Sequence, residues 1–305
     1  MIKPRAFNTI EIHGNVLTKT SVDKQTLADE SKWYFDIPGD VRRFVPTVYP
    51  SHNGELNMEY VHGATLHESF VSGEYGICRW SEILFKIKEF TDAMASYRVC
   101  DAKAIGDSLR RMYLDKTRER LMSLREDVYF SRFFAHRPII NGIECPNIEE
   151  LCARMESDVS RLYDRGSFTI IHGDLHFGNI ILGDDDGIKA IDPRGRFGRF
   201  TVYGDQRYDL AKLYHSIEGG YDYIIEDMYH LEYDGLDIDY TIEPSEYGFD
   251  MLALMREIFE IEQQEDIRLI EALLFLSMVP LHSESREHQI VMFARGMELY
   301  KRATE

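Results

Sequence analysis

Three oxygen-bearing side chains lie at fixed spacing in two neighbouring apolar segments. Asp174 and Asn179 are five residues apart in IIHGDLHFGNIIL, and Asp192 follows thirteen residues later in IDPRG. Two carboxylates and an amide oxygen on adjacent loops are groups that phosphoryl transfer uses. One carboxylate can accept the proton of a hydroxyl. The other carboxylate and the amide can bind Mg²⁺, which prefers hard oxygen ligands.

The same segments carry a family resemblance. HGDLHFGNI, followed by IDPRG, resembles the catalytic and metal-binding signature of the aminoglycoside phosphotransferase and choline kinase superfamily, whose members have a protein-kinase-like fold. The resemblance implies that Asp174 is the catalytic base and that Asn179 and Asp192 bind Mg²⁺. Further along, GDQRYDLA resembles the GDxxxDLA helix start of that family. It implies that Asp209 braces the catalytic loop through hydrogen bonds and that His172 is also structural.

The N-terminal residues are similar to the nucleotide-binding part of the same family. Lys19 ends the apolar strand VLTK, and Glu30 follows eleven residues later on a predicted helix. The pair resembles the kinase lysine that contacts the α- and β-phosphates of ATP and the glutamate that holds it. LNMEYVHG resembles the hinge, which implies that the backbone of Glu59, Tyr60 and Val61 binds adenine. The order of these motifs follows the family order over about residues 10–215.

Two departures from the family pattern concern the phosphates. No glycine-rich loop precedes Lys19, and only His13-Gly14-Asn15 offers a reduced version. The aromatic residue that usually follows the metal-binding aspartate is replaced by Pro193-Arg194-Gly195. Arg194 is therefore a candidate for neutralising charge on the transferred phosphate, with a structural ion pair as its alternative. The DPRG form, with YLDKT upstream, resembles phosphotransferases of bacterial capsule and surface-polysaccharide gene clusters.

The flanking sequence predicts the elements that must position these side chains. Residues 1–62 show short alternating patterns and one helical pattern, which indicate a small β-rich lobe. The predicted strands are 6–12, 15–20, 44–49 and 55–61, with turns at His13-Gly14 and at 51–54, and the predicted helix is 23–35.

Residues 63–305 have mainly the three- and four-residue apolar spacing of amphipathic helices. Helices are predicted at 80–97, 107–126, 147–165, 205–216, 247–264, 267–278 and 283–301, with short strands at 168–171, 180–182 and 188–191. Together with the resemblance, this pattern predicts an α+β, protein-kinase-like bilobal fold. Its nucleotide-binding lobe is expected at 1–62 and its helical, catalytic and acceptor-binding lobe at 63–305.

The composition limits the binding partners and the cellular compartment that are expected for this protein. The chain carries 35 Lys and Arg against 53 Asp and Glu, a formal net charge of −18. Because nucleic acids and anionic membranes are bound by basic faces, neither partner is expected. The four cysteines are scattered without a CxxC pair, and residues 1–15 contain no apolar signal segment. These features predict a reduced, cytoplasmic protein.

The acidic residues are unevenly distributed. Ten of them lie between Glu218 and Glu246, a stretch that has several tyrosines and no Lys or Arg. Such a surface suits an amine- or ammonium-bearing acceptor, through ion pairing and cation–π contact. A solvated face with no ligand is the alternative, and the sequence leaves both open.

The function expected from these observations is transfer of the ATP γ-phosphate, with Mg²⁺, to a hydroxyl of a small polar molecule. Aminoglycosides, choline-like amino alcohols, sugars and polyols are the candidate acceptors. A catalytically inactive nucleotide-binding module is one alternative. A protein kinase is less favoured, because Gly173 replaces the arginine of His-Arg-Asp and about a dozen residues separate Asp192 from Asp205. His172 and His176, four residues apart, are not expected to bind zinc because no third ligand is evident.

Overall fold

The computed structural model describes residues 8–51, 54–163, 166–243, 247–262 and 264–305. Its α-helices are, in chain order, α1 Lys24–Asp36, α2 Gly39–Arg42, α3 Leu66–Ser72, α4 Ile77–Ala95, α5 Ala102–Leu109, α6 Lys116–Met122, α7 Arg132–Ala135, α8 Ile148–Ser160, α9 Gln206–Ile217, α10 Tyr221–Ile225, α11 Gly248–Ile258, α12 Gln264–Met278 and α13 Arg286–Thr304. Within these ranges, no helix has the length and apolar character that crossing a membrane requires.

The strands in the described part of the chain are short and form four small sheets. They are β1 Asn8–His13, β2 Val16–Ser21, β3 Val48–Tyr49, β4 Leu56–Glu59, β5 Gly63–Thr65, β6 Arg98–Val99, β7 Ile139–Ile140, β8 Ile143–Glu144, β9 Phe168–Ile170, β10 Ile180–Gly183, β11 Ile188–Ala190, β12 Tyr203–Gly204, β13 Tyr229–Asp234 and β14 Asp237–Ile242. The strand orders are β1-β2-β4-β3, β11-β10-β5, β12-β9-β6 and β13-β14-β7-β8. Many helices with small, mainly antiparallel sheets confirm the predicted α+β class.

The chain divides into two compact units. One comprises residues 1–100 and 167–209, and the other comprises residues 101–166 and 210–305. All the site residues predicted from the sequence lie in the first unit. The expected lobe boundary between residues 62 and 63 stays a prediction.

In the first unit, β2 and α1 each bury a charged side chain. β2 alternates between the two faces of its sheet, and its buried positions are Leu17, Lys19 and Ser21. α1 begins after Asp23, whose carboxylate accepts the Thr26 N–H at 3.0 Å as an N-cap. The buried positions of α1 are Leu27, Glu30, Trp33 and Tyr34. This spacing places Glu30, Trp33 and Tyr34 on one face of the helix.

Aromatic packing anchors the end of the catalytic loop, residues 171–179, in the same unit. The ring of Phe177 stacks on Trp80 with centroids 5.4 Å apart and meets Phe70 edge-on at 5.2 Å. Phe70 belongs to α3, which begins with a capping box. There the Thr65 hydroxyl accepts the Glu68 N–H, and the Glu68 carboxylate accepts the Thr65 N–H. The loop therefore ends against a rigid element.

The second unit is built around α12 and α13. A Cβ on Gly296 would lie 2.9 Å from Cγ of Leu276, so glycine lets the two helices approach closely. Phe293 of α13 stacks on Phe133 of α7 at a centroid distance of 5.3 Å. Beside this core, β13 and β14 form a hairpin, and β14 pairs in parallel with β7.

Several short elements were not predicted from the sequence, and two differences from the predicted pattern have a clear physical reason. Only helices were predicted after residue 205, yet β13 and β14 lie within the acidic stretch. Their segment YHLEYDGLDIDYTI alternates apolar and polar residues around Asp234-Gly235, which is a hairpin signal. The strand predicted at 44–49 is shorter, Val48–Tyr49, because Pro46 lacks the N–H group that a strand ladder needs.

Some sequence-based assignments fall outside the described residues. They are the first residues of the strand predicted at 6–12, positions 52 and 53 of the predicted turn, the end of the helix predicted at 147–165, and Glu246 of the acidic stretch.

Candidate active site

The backbone of the catalytic loop is held by side chains from two helices. The Asp209 carboxylate of α9 accepts the N–H groups of His172 and Gly173 at 2.8 and 2.7 Å. From α1, the Trp33 indole N–H donates to the Ile171 carbonyl at 2.8 Å. Gly173 has φ +80°, a left-handed conformation that glycine adopts at little cost. These three hydrogen bonds hold the backbone at the start of the loop, and the bracing role of Asp209 in catalysis stays a prediction.

His172 is a buried, neutral acceptor in this loop. Its side chain is 1% exposed, and its Nδ1 accepts the Asp174 N–H at 3.3 Å. Burial lowers the pKa of His172 to about 4, against the opposing effect of the Asp174 and Asp192 carboxylates. A neutral imidazole at neutral pH can accept this hydrogen bond, which helps to orient Asp174.

Asp174 and Asn179 are joined by their side chains. The Asn179 amide donates to the Asp174 carbonyl at 2.9 Å and to its Oδ2 at 3.3 Å. The Asp174 carboxylate is about 15% exposed, so a substrate hydroxyl can reach it. His176 lies beside it, with Nε2 3.9 Å from Asp174 Oδ2. The arrangement is a partly open carboxylate with a fixed direction, as a general base requires.

Asp192 follows β11 in a left-handed conformation with φ +57°. The preceding residue, Ile191, donates its N–H to the Asn179 carbonyl at 2.9 Å, which brings Asp192 and Asn179 together. The Asp192 N–H donates to the Tyr34 hydroxyl at 3.2 Å. Burial raises the pKa of Tyr34 well above its ordinary value, with Glu30 and Asp192 adding to the shift. Tyr34 therefore stays a neutral phenol that can hold this loop.

Lys19 connects the carboxylates of Glu30 and Asp192. Its Nζ lies 2.9 Å from Glu30 Oε2 and 3.0 Å from Asp192 Oδ1. Burial alone lowers the pKa of Lys19, but Asp192 and Glu30 outweigh it, so the pKa is raised. The amine is therefore an ammonium at neutral pH. It places one fixed positive charge next to the predicted metal-binding residue.

Arg194 lies next to the catalytic loop but its guanidinium is directed along its own segment. The backbone N–H of Arg194 donates to the His172 carbonyl at 2.9 Å, and its side-chain Nε donates to the Arg196 carbonyl at 3.1 Å. The next residue, Gly195, has φ +68°, and a Cβ there would lie 2.3 Å from the backbone of Asp29. This segment thus packs against α1. The role of Arg194 towards phosphate stays a prediction.

At the predicted hinge, two of three N–H groups are used within the chain. Glu59 donates its N–H to the Thr47 carbonyl, and Tyr60 donates its N–H to the Asn15 carbonyl, both at 2.8 Å. Val61 follows directly after them. If this segment binds adenine, the Val61 N–H and the main-chain carbonyls are the groups left for it. The hinge assignment stays a prediction.

Most of the predicted site residues lie in two networks of contacts. The first network joins Asp209, His172, Asp174 and Asn179. The second joins Lys19, Glu30 and Asp192. The hydrogen bonds of Trp33 and Tyr34 to the two loops were not predicted, because aromatic residues on a helix usually indicate core packing. Their spacing from Glu30, three and four residues, was the signal that all three share a face.

The fold is that of the protein-kinase-like phosphotransferases. The chain aligns over 98% of its length, and over 92% of the other chain, with ADP-bound aminoglycoside phosphotransferase APH(2'')-Ib, at 12% identity and a TM-score of 0.59. It aligns similarly with a choline/ethanolamine kinase family protein from Mesorhizobium loti, covering 99% and 89% of the two chains at 12% identity and a TM-score of 0.58. A glucosamine kinase aligns over 98% and 81% at 11% identity with a TM-score of 0.51.

These likenesses confirm the predicted fold, and at such identities they concern the fold alone. No protein-family model matches the sequence, and the search of curated proteins finds no match either.

Proposed function

We propose that this protein is a small-molecule kinase that transfers the γ-phosphate of ATP to a hydroxyl group, with Mg²⁺ as cofactor. The observation that carries the proposal is Lys19, held between Glu30 and Asp192 at 2.9 and 3.0 Å. In kinases, an ion-paired lysine and a metal-binding aspartate form the site for the ATP phosphates. A cytoplasmic location, where ATP is available, belongs to the same proposal.

Asp174 is the residue assigned to the acceptor. Its carboxylate, held by the Asn179 amide, accepts the proton of the hydroxyl as that oxygen attacks phosphorus. The bond from the γ-phosphorus to the bridging oxygen breaks, and ADP leaves. Asp209 acts on this step only by holding the loop that carries Asp174.

Asn179 and Asp192 are suited to Mg²⁺ by the chemistry of their free atoms. The Asn179 side-chain nitrogen donates to Asp174, so the side-chain oxygen, Oδ1, is the Asn179 atom that would bind a cation. The Asp192 side chain is 40% exposed, and Lys19 contacts its Oδ1. Hard oxygen donors with room for water and phosphate are what Mg²⁺ prefers. When bound, Mg²⁺ neutralises charge on the phosphates and orients them.

The acceptor is assigned only by class. Three solved structures with this fold are named for aminoglycosides, choline or ethanolamine, and glucosamine. All of these molecules carry a hydroxyl together with an amine or a quaternary ammonium group. We therefore place amine-bearing alcohols first, and neutral sugars and polyols second.

The test is ADP release measured with a coupled assay across a panel of amino alcohols, aminoglycosides, amino sugars, neutral sugars and polyols. Wild-type protein should release ADP with at least one acceptor, only when Mg²⁺ is present. Acceptor-stimulated release by Asp174→Asn should be lowered by at least about 100-fold. Mg²⁺-dependent ATP binding without turnover on any acceptor would favour an inactive nucleotide-binding module instead.

A further inference from the structure

A short segment of the second unit brings together two histidines and a glutamate. His282 and Glu284 lie between α12 and α13, and His288 lies in the first turns of α13. Two hydrogen bonds shape the segment. The Ser285 N–H donates to the His282 carbonyl at 3.2 Å, and the Ser285 hydroxyl accepts the His288 N–H at 3.2 Å as the N-cap of α13. The turn and the cap together fold His282 back towards His288.

The potential ligand atoms of this segment converge. One atom each from His282, Glu284 and His288 lies within 4.8 Å of the other two. Across the described ranges, these residues form the single group of three or more His, Cys, Asp or Glu side chains that meets this distance. His282 Nδ1 is 2.8 Å from Glu284 Oε1. Zinc binds nitrogen and oxygen at about 2.0–2.2 Å, so the ligand atoms of one tetrahedral ion lie roughly 3.4 Å apart, which falls between these two distances.

A carboxylate outside the segment independently supports a metal site. Asp227, between α10 and β13, lies with its Oδ1 2.7 Å from His288 Nε2. Metal-binding histidines commonly have one nitrogen held by a carboxylate, which orients the ring and makes the other nitrogen a better ligand. Asp227 has φ +58°, a conformation that is uncommon outside glycine. The backbone is thus strained at the residue that orients His288.

Burial and charge also fit a divalent cation. The His282 and His288 side chains are 16% and 12% exposed, whereas Glu284 and Asp227 are 62% and 80% exposed. The imidazoles are therefore held in place, and an ion can enter past the carboxylates. The nearby cation Arg286 is committed elsewhere, because its guanidinium makes two 2.8 Å contacts with the Asp127 carboxylate. The carboxylates of Glu284 and Asp227 supply negative charge for a divalent cation.

We propose that His282, Glu284 and His288 form a binding site for a divalent transition-metal ion of the zinc class, with Asp227 positioning His288. Imidazole nitrogens favour such ions over Mg²⁺, whose preference is for oxygen. Three protein ligands leave a position for water or for an exogenous ligand. The site shares no residue with Asn179 and Asp192, and it does not depend on the proposed kinase function.

The test uses Co²⁺ and Zn²⁺ as probes on the full chain, with Mg²⁺ in large excess to occupy hard oxygen sites. Because Cys78 and Cys100 are exposed thiols that could bind zinc, the background variant carries Cys78→Ser and Cys100→Ser. It should bind one Co²⁺ per chain with the visible absorption of a low-coordinate nitrogen and oxygen site. Zn²⁺ should displace the Co²⁺ and remove this absorption.

Single substitutions then locate the ion. His282→Ala and His288→Ala should each weaken Zn²⁺ binding by at least about 10-fold, and Asp227→Asn by about 10- to 100-fold. His136→Ala removes an exposed histidine of the same unit and should bind like the background protein. Thermal unfolding without metal identifies any variant that fails to fold, and Glu284→Gln serves as a further conservative variant. Absence of stoichiometric binding, or equal binding by the folded variants and the background protein, would overturn the site.

Discussion

Lys19 is the residue on which the proposed nucleotide-binding geometry depends. Its ammonium separates two carboxylates, one of which, Glu30, is 5% exposed. Buried charges that lose their partner are strongly destabilising, whereas a satisfied pair contributes little net stability. The arrangement is thus explained better by the need for a fixed positive charge near phosphate than by folding alone.

Replacing Lys19 tests this interpretation. Lys19→Met should lower the free energy of unfolding by about 3–5 kcal/mol, because Glu30 is left buried and unpaired. ATP affinity should fall at least about 10-fold, since a charged hydrogen bond to phosphate is worth about 1.5–3 kcal/mol. Urea denaturation and calorimetric ATP titration measure the two effects.

The matched control is Lys32→Met, which breaks the exposed pair with Asp36 on α1. An exposed pair at this spacing contributes only about 0.3–0.5 kcal/mol, and ATP affinity should not change. If Lys19→Met behaved like this control in both measurements, the phosphate-binding role would be wrong.

His172 should make stability depend on pH. Burial lowers its pKa to about 4 in the folded protein, while the ordinary value is 6.5. Between these values the unfolded chain binds a proton that the folded chain does not, so stability falls as the pH falls. The total loss from this group is about 3 kcal/mol by pH 4. In urea denaturation between pH 7 and pH 4.5, the free energy of unfolding of His172→Asn should depend less on pH than that of the wild type. The same pH dependence in both proteins would contradict the buried neutral state of His172.

At the scale of elements, α1 is the part that connects the two halves of the site. Its residues reach one strand and two loops: Glu30 pairs with Lys19 of β2, Trp33 holds the catalytic loop, and Tyr34 holds the loop that carries Asp192. The loop 193–196 in turn packs on α1 at Gly195. A substitution that moves α1 should therefore change the affinity for ATP, even when the substituted residue is not assigned to ATP binding.

Gly195→Ala is the substitution that moves α1. A Cβ at φ +68° and 2.3 Å from the Asp29 backbone must displace the helix or the loop. The strained conformation and the overpacking together should cost about 2–4 kcal/mol of stability. ATP affinity should fall together with the stability. Gly39→Ala, with no neighbour within 4 Å of the new Cβ, is the control and should be close to neutral. Equal behaviour of the two variants in urea denaturation and ATP titration would refute this role of α1.

The sequence predicted the elements that carry strong local signals and missed those that depend on context. The β1–β2 hairpin and α1 were predicted closely, because alternation, a turn glycine and the Asp23 cap are all local. The motif residues were found by their spacing and their resemblance to a family. Trp33 and Tyr34 were not, since their hydrogen bonds join residues 138 and 158 positions apart. The β13–β14 hairpin was not predicted, because it is rich in Asp and Glu, which are uncommon in strands.

For the whole molecule, the main feature is the charge of −18 and its concentration in the stretch 218–246. On the β13–β14 hairpin, Glu232 lies opposite Asp239 and Asp234 lies opposite Asp237. Like charges in directly opposed positions destabilise a sheet. Glu232, Asp234, Asp237 and Asp239 are all exposed, so water and salt reduce this cost.

Charge reversal separates the local effect from the global one. Glu232→Lys and Glu243→Lys both change the net charge by +2, but only Glu232→Lys creates an opposite-charge pair across the hairpin. At low salt, both should raise the urea midpoint through reduced self-repulsion. Glu232→Lys should raise it further, and the excess should disappear at high salt. Equal midpoints for the two variants would show that the cross-strand pair has no effect.

The central claim is that Asp174 is the base of a phosphotransferase, and its most direct test is to measure binding and turnover on one variant. With an acceptor found in the panel, Asp174→Asn should lower kcat by about 100- to 10,000-fold, the range of general-base contributions. Its Kd for ATP in the presence of Mg²⁺ should stay within about threefold of wild type, because Asp174 is not assigned to the nucleotide. Retained turnover in this variant would contradict the account.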